Sequence, residues 1–270
     1  MPIVLIIIAS FTSEQALLAN GYSYFPEEWS LSAYYYLINQ GKIIVRAYGV
    51  SVFVTIVGTL VSLLLTTMLA YPMSRKNFKY KNVLSFFVFL TMLFNGGIVA
   101  SYMMWSNIFH IKDTIWALMI PNYLVTAFNV FLVRNYYANN IPEALIESAQ
   151  IDGATELSIF WKIILPLSIP TVATVSLFTA LFYWNDWVNG LYYIRDSKYY
   201  GIQNLLIKIM NNIEFLKSGS SNLLGTGNIS LPGTSVRMAM AVIGILPILI
   251  IYPFVQKYFI KGVVVGAVKG

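Results

Sequence analysis

The stretch EALIESAQIDGATELSIFWKIILPLSIP at residues 143–170 interrupts a chain that otherwise avoids charge. It carries four of the eleven acidic residues of the protein, namely Glu143, Glu147, Asp152 and Glu156. Long uncharged runs precede and follow it. An acidic, helix-forming segment between two apolar segments predicts a loop that lies outside a membrane and joins two membrane-spanning segments.

The composition indicates a membrane protein. Of the 270 residues, 58% are hydrophobic and 10% are charged, with a mean hydropathy of +0.69, whereas soluble domains carry about 25% charged residues. Helices are the expected spanning form, because backbone groups in lipid must be satisfied within the segment. The chain has no cysteine and a single histidine, His110, so we expect no thiolate or histidine-cluster metal site. The basic residues are scattered, which is typical of loops at a lipid surface and predicts no nucleic-acid partner.

Charge-free runs of 19 to 30 residues locate the membrane spans. A bilayer core of about 30 Å needs roughly 20 helical residues. The runs predict five full spans near 48–71, 83–106, 114–134, 167–189 and 238–259, and a sixth, partial one at 1–12. We expect the first helix to begin before this chain does. The whole of 1–270 is therefore predicted to be one all-α, six-helix transmembrane domain.

The short loop 73–82 sets the predicted orientation. It reads MSRKNFKYKN, with four basic residues and no acid, which is typical of a cytoplasmic loop. Because successive loops lie on opposite sides of the membrane, loop 135–166 and the C-terminal tail are then also predicted to be cytoplasmic. The loops 13–46, 107–113 and 190–237 are predicted to face outward.

The opening stretch has the pattern of two amphipathic helices joined by a turn. Asn140 and Glu143 have the spacing of a capping box, and Asp152 and Gly153 are expected to end the first helix. The first helix is predicted to share one face among Ile141, Ala144, Leu145, Ser148 and Ala149, and the second among Leu157, Phe160, Trp161 and Ile164. From the helical pattern alone, an interfacial helix pair with its acids in water is the alternative interpretation.

The order of residues in this stretch resembles the EAA signature of ABC importer permeases. Glu147-Ser148-Ala149, Asp152-Gly153-Ala154 and Ile163-x-Leu165-Pro166 follow the family spacing E-A-A-x2-D-G-A-x8-I-x-L-P, with Ser148 where alanine is commoner. NGGIVASYMM at 95–104 resembles the Gly-Gly stretch of permeases that import complex oligosaccharides, with Ala100 where proline is usual. GAVKG at 266–270 is similar to the end of the second permease of maltose-type importers. The resemblance covers nearly the whole chain.

The resemblance implies a function and a set of partners. Such a chain is a multi-pass permease in the bacterial plasma membrane and not an enzyme. It pairs with a second homologous permease, two ATP-binding subunits that carry ATP-Mg, and an extracytoplasmic sugar-binding protein. The loop at 135–166 becomes the coupling helix–turn–helix that seats in the ATP-binding subunit. By their match to the family motif and to the family's C-terminal end, the residues expected to couple to the ATP-binding subunits are Glu147, Ser148, Ala149, Asp152, Gly153, Ala154, Leu165, Pro166, Lys269 and Gly270.

Candidate sugar contacts lie at the end of the fifth predicted span and within the third. Aromatic rings stack on sugar rings and amides bond sugar hydroxyls, which selects Trp184, Asn185, Trp187, Asn189 and Asn95. An aromatic belt at the outer membrane surface is the alternative for the tryptophans. Helix packing is the alternative for Asn95 and the adjoining glycines.

Two other functions compete with sugar import. An ABC permease for an amino acid, phosphate or metal also carries an EAA loop. An intramembrane enzyme would need paired Ser and His, paired Asp or a His-Asp motif in the bilayer. The charge-free runs hold no acid, and His110 lies in a predicted loop, which disfavours the enzyme.

Overall fold

The structure, a computed structural model, describes residues 2–217 and 233–267. Within these residues the chain is helical apart from turns and connections, and it contains no β-strand beyond one isolated bridge between Thr12 and Trp29. The predicted all-α class is confirmed.

The helices follow one another with short connections. They are α1 (Pro2–Ser10), α2 (Glu14–Asn20), α3 (Ser32–Asn39), α4 (Gly41–Ser74), α5 (Lys81–Leu93), α6 (Gly97–Met103), α7 (Trp116–Met119), α8 (Ala127–Asn140), α9 (Glu143–Ile151), α10 (Glu156–Ile159), α11 (Leu165–Leu167), α12 (Ile169–Trp184), α13 (Val188–Tyr193), α14 (Ile202–Lys217) and α15 (Thr234–Ala267). Two π-helical turns, Met104–Ile108 and Phe160–Ile164, follow α6 and α10, and a 3₁₀ turn covers Ser197–Tyr199.

Two helices in the described part of the chain are long and apolar enough to cross a membrane by themselves, α4 and the Thr234–Pro253 part of α15. Two further candidates are bent pairs. Lys81–Leu93 and Gly97–Ile108 meet at 116°, and Glu156–Leu167 and Ile169–Tyr193 meet at 81°. The first bend lies inside the segment predicted as a span at 83–106, and the second lies at Ser168, where the span predicted at 167–189 begins.

The segment predicted as a span at 114–134 is interrupted as well. It is helical in α7 and again from Ala127, while residues 120–126 form turns. Pro121 supplies no backbone N–H, and Asn122 has a φ of +69°, so neither residue continues a helix. Counting uncharged residues cannot detect such a break, because the turn residues 120–126 are uncharged like the helices around them. The number of membrane crossings stays a prediction.

The chain divides into two compact units. The first comprises Met1–Ser51 and Asp186–Tyr252, and the second comprises Val52–Asn185 and Pro253–Gly270. The prediction of one permease domain over 1–270 stays a prediction.

In the first unit, side chains from distant segments satisfy the open N-termini of two helices. The Glu14 carboxylate accepts hydrogen bonds from the backbone N–H groups of Thr234 and Ser235, both at 2.9 Å, where α15 begins. Ser51 Oγ accepts one from the N–H of Ile202, at 2.8 Å, where α14 begins. The first N–H groups of a helix have no partner inside it, so these bonds fix where the two helices start.

In the second unit, α4 has the polarity of a helix in lipid. Its large apolar side chains Val52, Phe53, Ile56 and Leu60 are exposed, whereas Thr59, Ser62, Thr66 and Ala70 are buried. Lipid does not drive apolar side chains inward, and small or weakly polar side chains allow helices to approach closely. The pattern agrees with a multi-pass membrane protein.

A buried cluster in the same unit joins the end of α4 to the loop at 135–166. It brings side chains of α8, α9, α10, the following π-turn and α12 against α4. The cluster consists of Ala70, Tyr71, Met73, Val130, Val133, Tyr137, Ile141, Ile146, Ile159, Phe160, Ile164 and Val175. The acidic loop is therefore held against α4, α8 and α12 by its buried apolar side chains, and the rest of its surface is exposed.

Candidate functional site

The candidate site is the helix pair α9 and α10 with the elbow between them, residues 152–154. The helix α9 ends where the N–H of Asp152 bonds to the carbonyl of Ser148 at 3.0 Å. Gly153 then takes a φ of +79°, a conformation that suits glycine and is strained for most other residues. Thr155 starts α10 as its N-cap, accepting from the N–H of Ser158 at 3.3 Å. The helix–turn–helix geometry lies at the positions given by the sequence pattern.

The buried face of α9 differs from the predicted one. Ile141 and Ala149 lie in or against the buried cluster, as predicted. Ile146, however, is 3% exposed, whereas Ala144, Leu145 and Ser148 are exposed. The helix is thus rotated about its axis by about one position relative to the prediction. The reason is tertiary, because the cluster takes the side chain of Ile146 and not that of its equally large neighbour Leu145, and local spacing does not distinguish the two.

The second half of the site is also only partly as predicted. Phe160 and Ile164 are buried, but Leu157 and Trp161 are 63% and 49% exposed. The π-turn over Phe160–Ile164 widens the helix and changes which side chains share a face. Of the predicted coupling residues at this end, Leu165 packs against the buried cluster and Pro166 is exposed.

The polar part of the motif lies at the surface. Glu147, Ser148, Asp152 and Gly153 are exposed, while Ala154, like Ala149, is half-buried against the cluster. Ser148 Oγ donates to the carbonyl of Ala144 at 2.8 Å. Its hydroxyl is therefore satisfied within α9, which makes serine a mild replacement for the alanine of the family pattern. The motif alanines face inward, and its carboxylates and elbow are available to another protein.

The basic loop after α4 contacts the same helix pair. Lys76 Nζ lies 2.6 Å from Oε2 of Glu143, the first residue of α9. The hydrogen bond between Lys76 and Glu143 raises the pKa of the lysine and lowers the pKa of the carboxyl group. Loops 73–82 and 135–166 are thus in direct contact through Lys76 and Glu143, and their placement in the cytoplasm stays a prediction.

The predicted capping box is wrong. The N-cap of α9 is Pro142, with no side-chain hydrogen bond at the cap. Asn140 Nδ2 instead donates to the carbonyl of Tyr136 at 3.4 Å, and Glu143 pairs with Lys76. Both side chains find partners that local spacing does not reveal.

Sequence reasoning missed two residues that hold the site in place, Tyr71 and Gln150. Both bond to Glu156, which the sequence marks only as an acid in the loop. Tyr71 lies near the end of the charge-free run between Arg46 and Arg75 and gives no signal of its own.

Three of the predicted sugar contacts lie in the second unit. Asn95 is exposed in the break between α5 and α6, where its Oδ1 accepts from the N–H of Gly97 at 2.9 Å. Trp184 is 6% exposed, at the end of α12. Asn185 is exposed, and its amide donates to the carbonyl of Leu181 at 2.9 Å. The assignment of these residues to a sugar path stays a prediction.

The other two lie in the first unit. Trp187 is 43% exposed, and Asn189 is fully buried. The backbone N–H of Asn189 donates to the Asp186 carboxylate at 3.2 Å, which starts α13. Trp187 therefore presents its ring at the surface of this unit, and Asn189 does not present its amide. The predicted coupling residues Lys269 and Gly270 lie outside the described residues.

The fold and the site define a class of protein: a multi-pass membrane subunit that exposes a motif-bearing helix pair beside its basic loop. A family model described as the binding-protein-dependent transport system inner membrane component matches residues 62–265. The match covers more than half of the chain, so the chain belongs to that family.

Proteins that are similar to this chain in sequence or in structure support the same family. The chain is 38% identical over its whole length to the polygalacturonan/rhamnogalacturonan transport system permease protein YtcP of Bacillus subtilis strain 168, and covers 92% of it. It is 37% identical over its whole length to protein LplC of the same organism, and covers 89% of it. A solved bacterial ABC transporter involved in the import of the acidic polysaccharide alginate has a chain with a TM-score of 0.81 and 29% identity. That match covers 96% of this chain and 90% of the other.

Family membership fixes the general role of the chain. It is a permease of an ABC importer in a bacterial cell membrane, that is, a transport component. Importers of this family work with an ATP-binding component and a substrate-binding protein.

Proposed function

We propose that this chain is one of two homologous permease subunits of an ATP-driven oligosaccharide importer. Two ATP-binding subunits on the cytoplasmic side would bind and hydrolyse ATP with Mg²⁺. An extracytoplasmic binding protein would deliver the sugar to the two permeases. No nucleotide or other cofactor is needed on this chain, whose task is to pass the movement of the ATP-binding subunits to its spans.

The observation that carries this proposal is the exposed elbow of the helix pair. Gly153 has a positive φ, and no atom lies within 4 Å of the position that a Cβ would take there. A partner surface can therefore approach the backbone. Two large apolar side chains on either side of the elbow are exposed to solvent: Ile151 is 85% exposed and Leu157 is 63% exposed. Exposed apolar groups beside carboxylates, on a loop outside the bilayer, favour a docking surface for another protein.

The proposed cargo is a fragment of an acidic polysaccharide. This rests on the names of two similar proteins, the polygalacturonan/rhamnogalacturonan permease and the alginate importer. A binding protein can select the sugar before it reaches the membrane, so the permeases need only a path that tolerates it. Trp187, Asn185 and Asn95 are the surface-exposed candidates for that path.

Uptake by the reconstituted importer tests the cargo. The complete complex, with its binding protein, is placed in vesicles loaded with ATP and offered oligogalacturonides, a neutral oligosaccharide or an amino acid. We expect ATP-dependent uptake of an oligosaccharide, with the acidic one preferred. Uptake of the amino acid alone would replace the sugar assignment with the non-sugar alternative.

Alanine variants of the path residues test the sugar contacts. If Trp184, Asn185 or Trp187 contacts the sugar, its alanine variant should reduce uptake while the complex still assembles. Normal uptake by all three variants, at normal expression, would identify the tryptophans as an aromatic belt. Phe182, which is 48% exposed near the end of α12, provides a matched control on the same helix.

A further inference from the structure

Glu156 joins three helices through one carboxylate. Tyr71, on α4, donates from its hydroxyl to Oε2 at 2.5 Å. Gln150, on α9, donates from Nε2 to Oε1 at 2.7 Å. Glu156 itself is the first residue of α10. We call Tyr71, Gln150 and Glu156 the clasp.

The tyrosine of the clasp is held in place by packing. Tyr71 is 9% exposed and belongs to the buried cluster. Its ring centroid lies 5.6 Å from that of Phe160, which is 1% exposed. The phenol therefore projects from a packed layer in a fixed direction, and Glu156, which is exposed, reaches it from the surface. Hydrogen bonds to a charged acceptor are stronger than those between neutral groups.

The clasp bridges the elbow. Gln150 lies before residues 152–154 and Glu156 lies after them, so their hydrogen bond fixes the angle between α9 and α10. The bond from Tyr71 then ties that angle to the end of α4. A displacement of α9 by a docked partner must consequently displace α4 or break the clasp.

Packing is incomplete on one side of the clasp. A cavity of 440 Å³ lies there, lined by Met68, Pro72, Arg75, Phe78, Leu157 and the three clasp residues among others. Side chains on opposite walls of a cavity of this size do not pack against each other. On this side, hydrogen bonds rather than close packing connect α4 to α10.

We propose that Glu156 is a positioning residue that transmits the movement of the coupling helices to α4. It lies between the motif residues of the EAA signature and is not one of them. The proposal rests on the proposed function, in which partner subunits move α9. It predicts that losing the clasp uncouples ATP hydrolysis from transport and leaves the partners bound.

The test measures sugar uptake and ATP hydrolysis in the same vesicles, with the complete importer. Tyr71→Phe removes the hydroxyl but keeps the ring in the cluster, and Glu156→Ala removes the carboxylate. We expect either variant to lower the sugar transported per ATP hydrolysed by about fivefold or more, the low end of typical coupling between sites. The double variant should be no worse than Glu156→Ala alone, because both changes break one connection. Copurification of the ATP-binding subunits should stay at the wild-type level.

Glu143→Gln is the matched control. It removes another carboxylate of the same helix pair, one that pairs with Lys76, just after the end of α4. This pair lies at the surface, and the Lys76 side chain is 77% exposed. Its ratio of sugar to ATP should remain that of the wild type. A wild-type ratio in both Tyr71→Phe and Glu156→Ala would overturn the proposal, as would loss of the ATP-binding subunits from Tyr71→Phe. Absence of sugar uptake in the wild-type importer would instead count against the proposed function.

Discussion

The ring of Tyr183 packs directly on Gly58, so closely that a Cβ at position 58 would lie 2.7 Å from Tyr183 Cζ. The hydroxyl of the same tyrosine donates to the carbonyl of Met119 at 2.8 Å. The ring cannot withdraw without weakening this bond. The close contact of α4 and α12 thus depends on the absence of a side chain at Gly58.

Gly58→Ala is expected to destabilise the protein by about 1–3 kcal/mol, the usual range for overpacking. Thermal unfolding of the purified protein in detergent measures the effect. Gly49→Ala is the control, because position 49 lies on the same helix and no atom approaches its Cβ position within 4 Å; there the change should be neutral or slightly stabilising. In a Tyr183→Ala background the cost of Gly58→Ala should fall, and an undiminished cost would contradict the packing explanation.

The ion pair of Lys76 and Glu143 predicts a weak dependence of stability on pH. The hydrogen bond lowers the pKa of Glu143 from its ordinary 4.5, so the pair contributes fully above that value and is lost as the pH falls through the lowered pKa. It raises the pKa of Lys76 above 10.5, so the contribution is complete below 10.5 and is lost as the pH rises through the raised pKa.

The difference in melting temperature between the wild type and Glu143→Gln should therefore be constant from about pH 6 to 9. It should be small, because the pair is exposed, and it should shrink with added salt and with acid. A difference that grows on acidification, with no change in salt, would contradict the pairing. Lys76→Met should show the same salt dependence.

The predicted orientation can be tested with single cysteines, because the native chain has none. Lys79→Cys lies in the basic loop and Ser197→Cys in the predicted outer loop 190–237, and both positions are exposed. A membrane-impermeant thiol reagent should label Ser197→Cys in intact cells and Lys79→Cys only after the membrane is opened. The reverse pattern would invert the topology.

The sequence predicts the class, the family and the location of the site, because each depends on local information. Runs without charge mark apolar segments, and the spacing around Glu147 and Gly153 marks the elbow. The positive φ of Gly153 is what a glycine after Asp152, at the end of a helix, leads one to expect.

The details that depend on tertiary contacts could not be predicted in this way. The buried face of α9 is set by Ile146 entering the cluster. The cap at Asn140 fails because the helix starts only at Glu143, after Pro142, and Glu143 pairs with Lys76. The breaks near Gly97 and Pro121 lie inside uncharged runs, where hydropathy does not change. Tyr71 becomes important only because Glu156, 85 positions later, lies beside it.

The nature of the elbow can be resolved with a graded series at Gly153. Alanine is small but strained at a φ of +79°, at a cost of about 1–2 kcal/mol, whereas asparagine tolerates that φ but adds bulk. If close approach of a partner dominates, Gly153→Asn should reduce copurification of the ATP-binding subunits more than Gly153→Ala does. If backbone conformation dominates, the order should be reversed. Wild-type copurification with both variants would show that neither property of the glycine is used.

The central claim is that the motif residues between Glu147 and Pro166 couple ATP hydrolysis on partner subunits to transport through this chain. Its most direct test is transport and sugar-stimulated ATPase activity of reconstituted importers that carry Glu147→Ala or Gly153→Leu. Both residues are exposed, so insertion and pairing of the permeases should be preserved, while both activities and the amount of copurified ATP-binding subunit should fall together. Wild-type values of all three quantities in both variants would show that the loop is only a helix pair at the membrane surface.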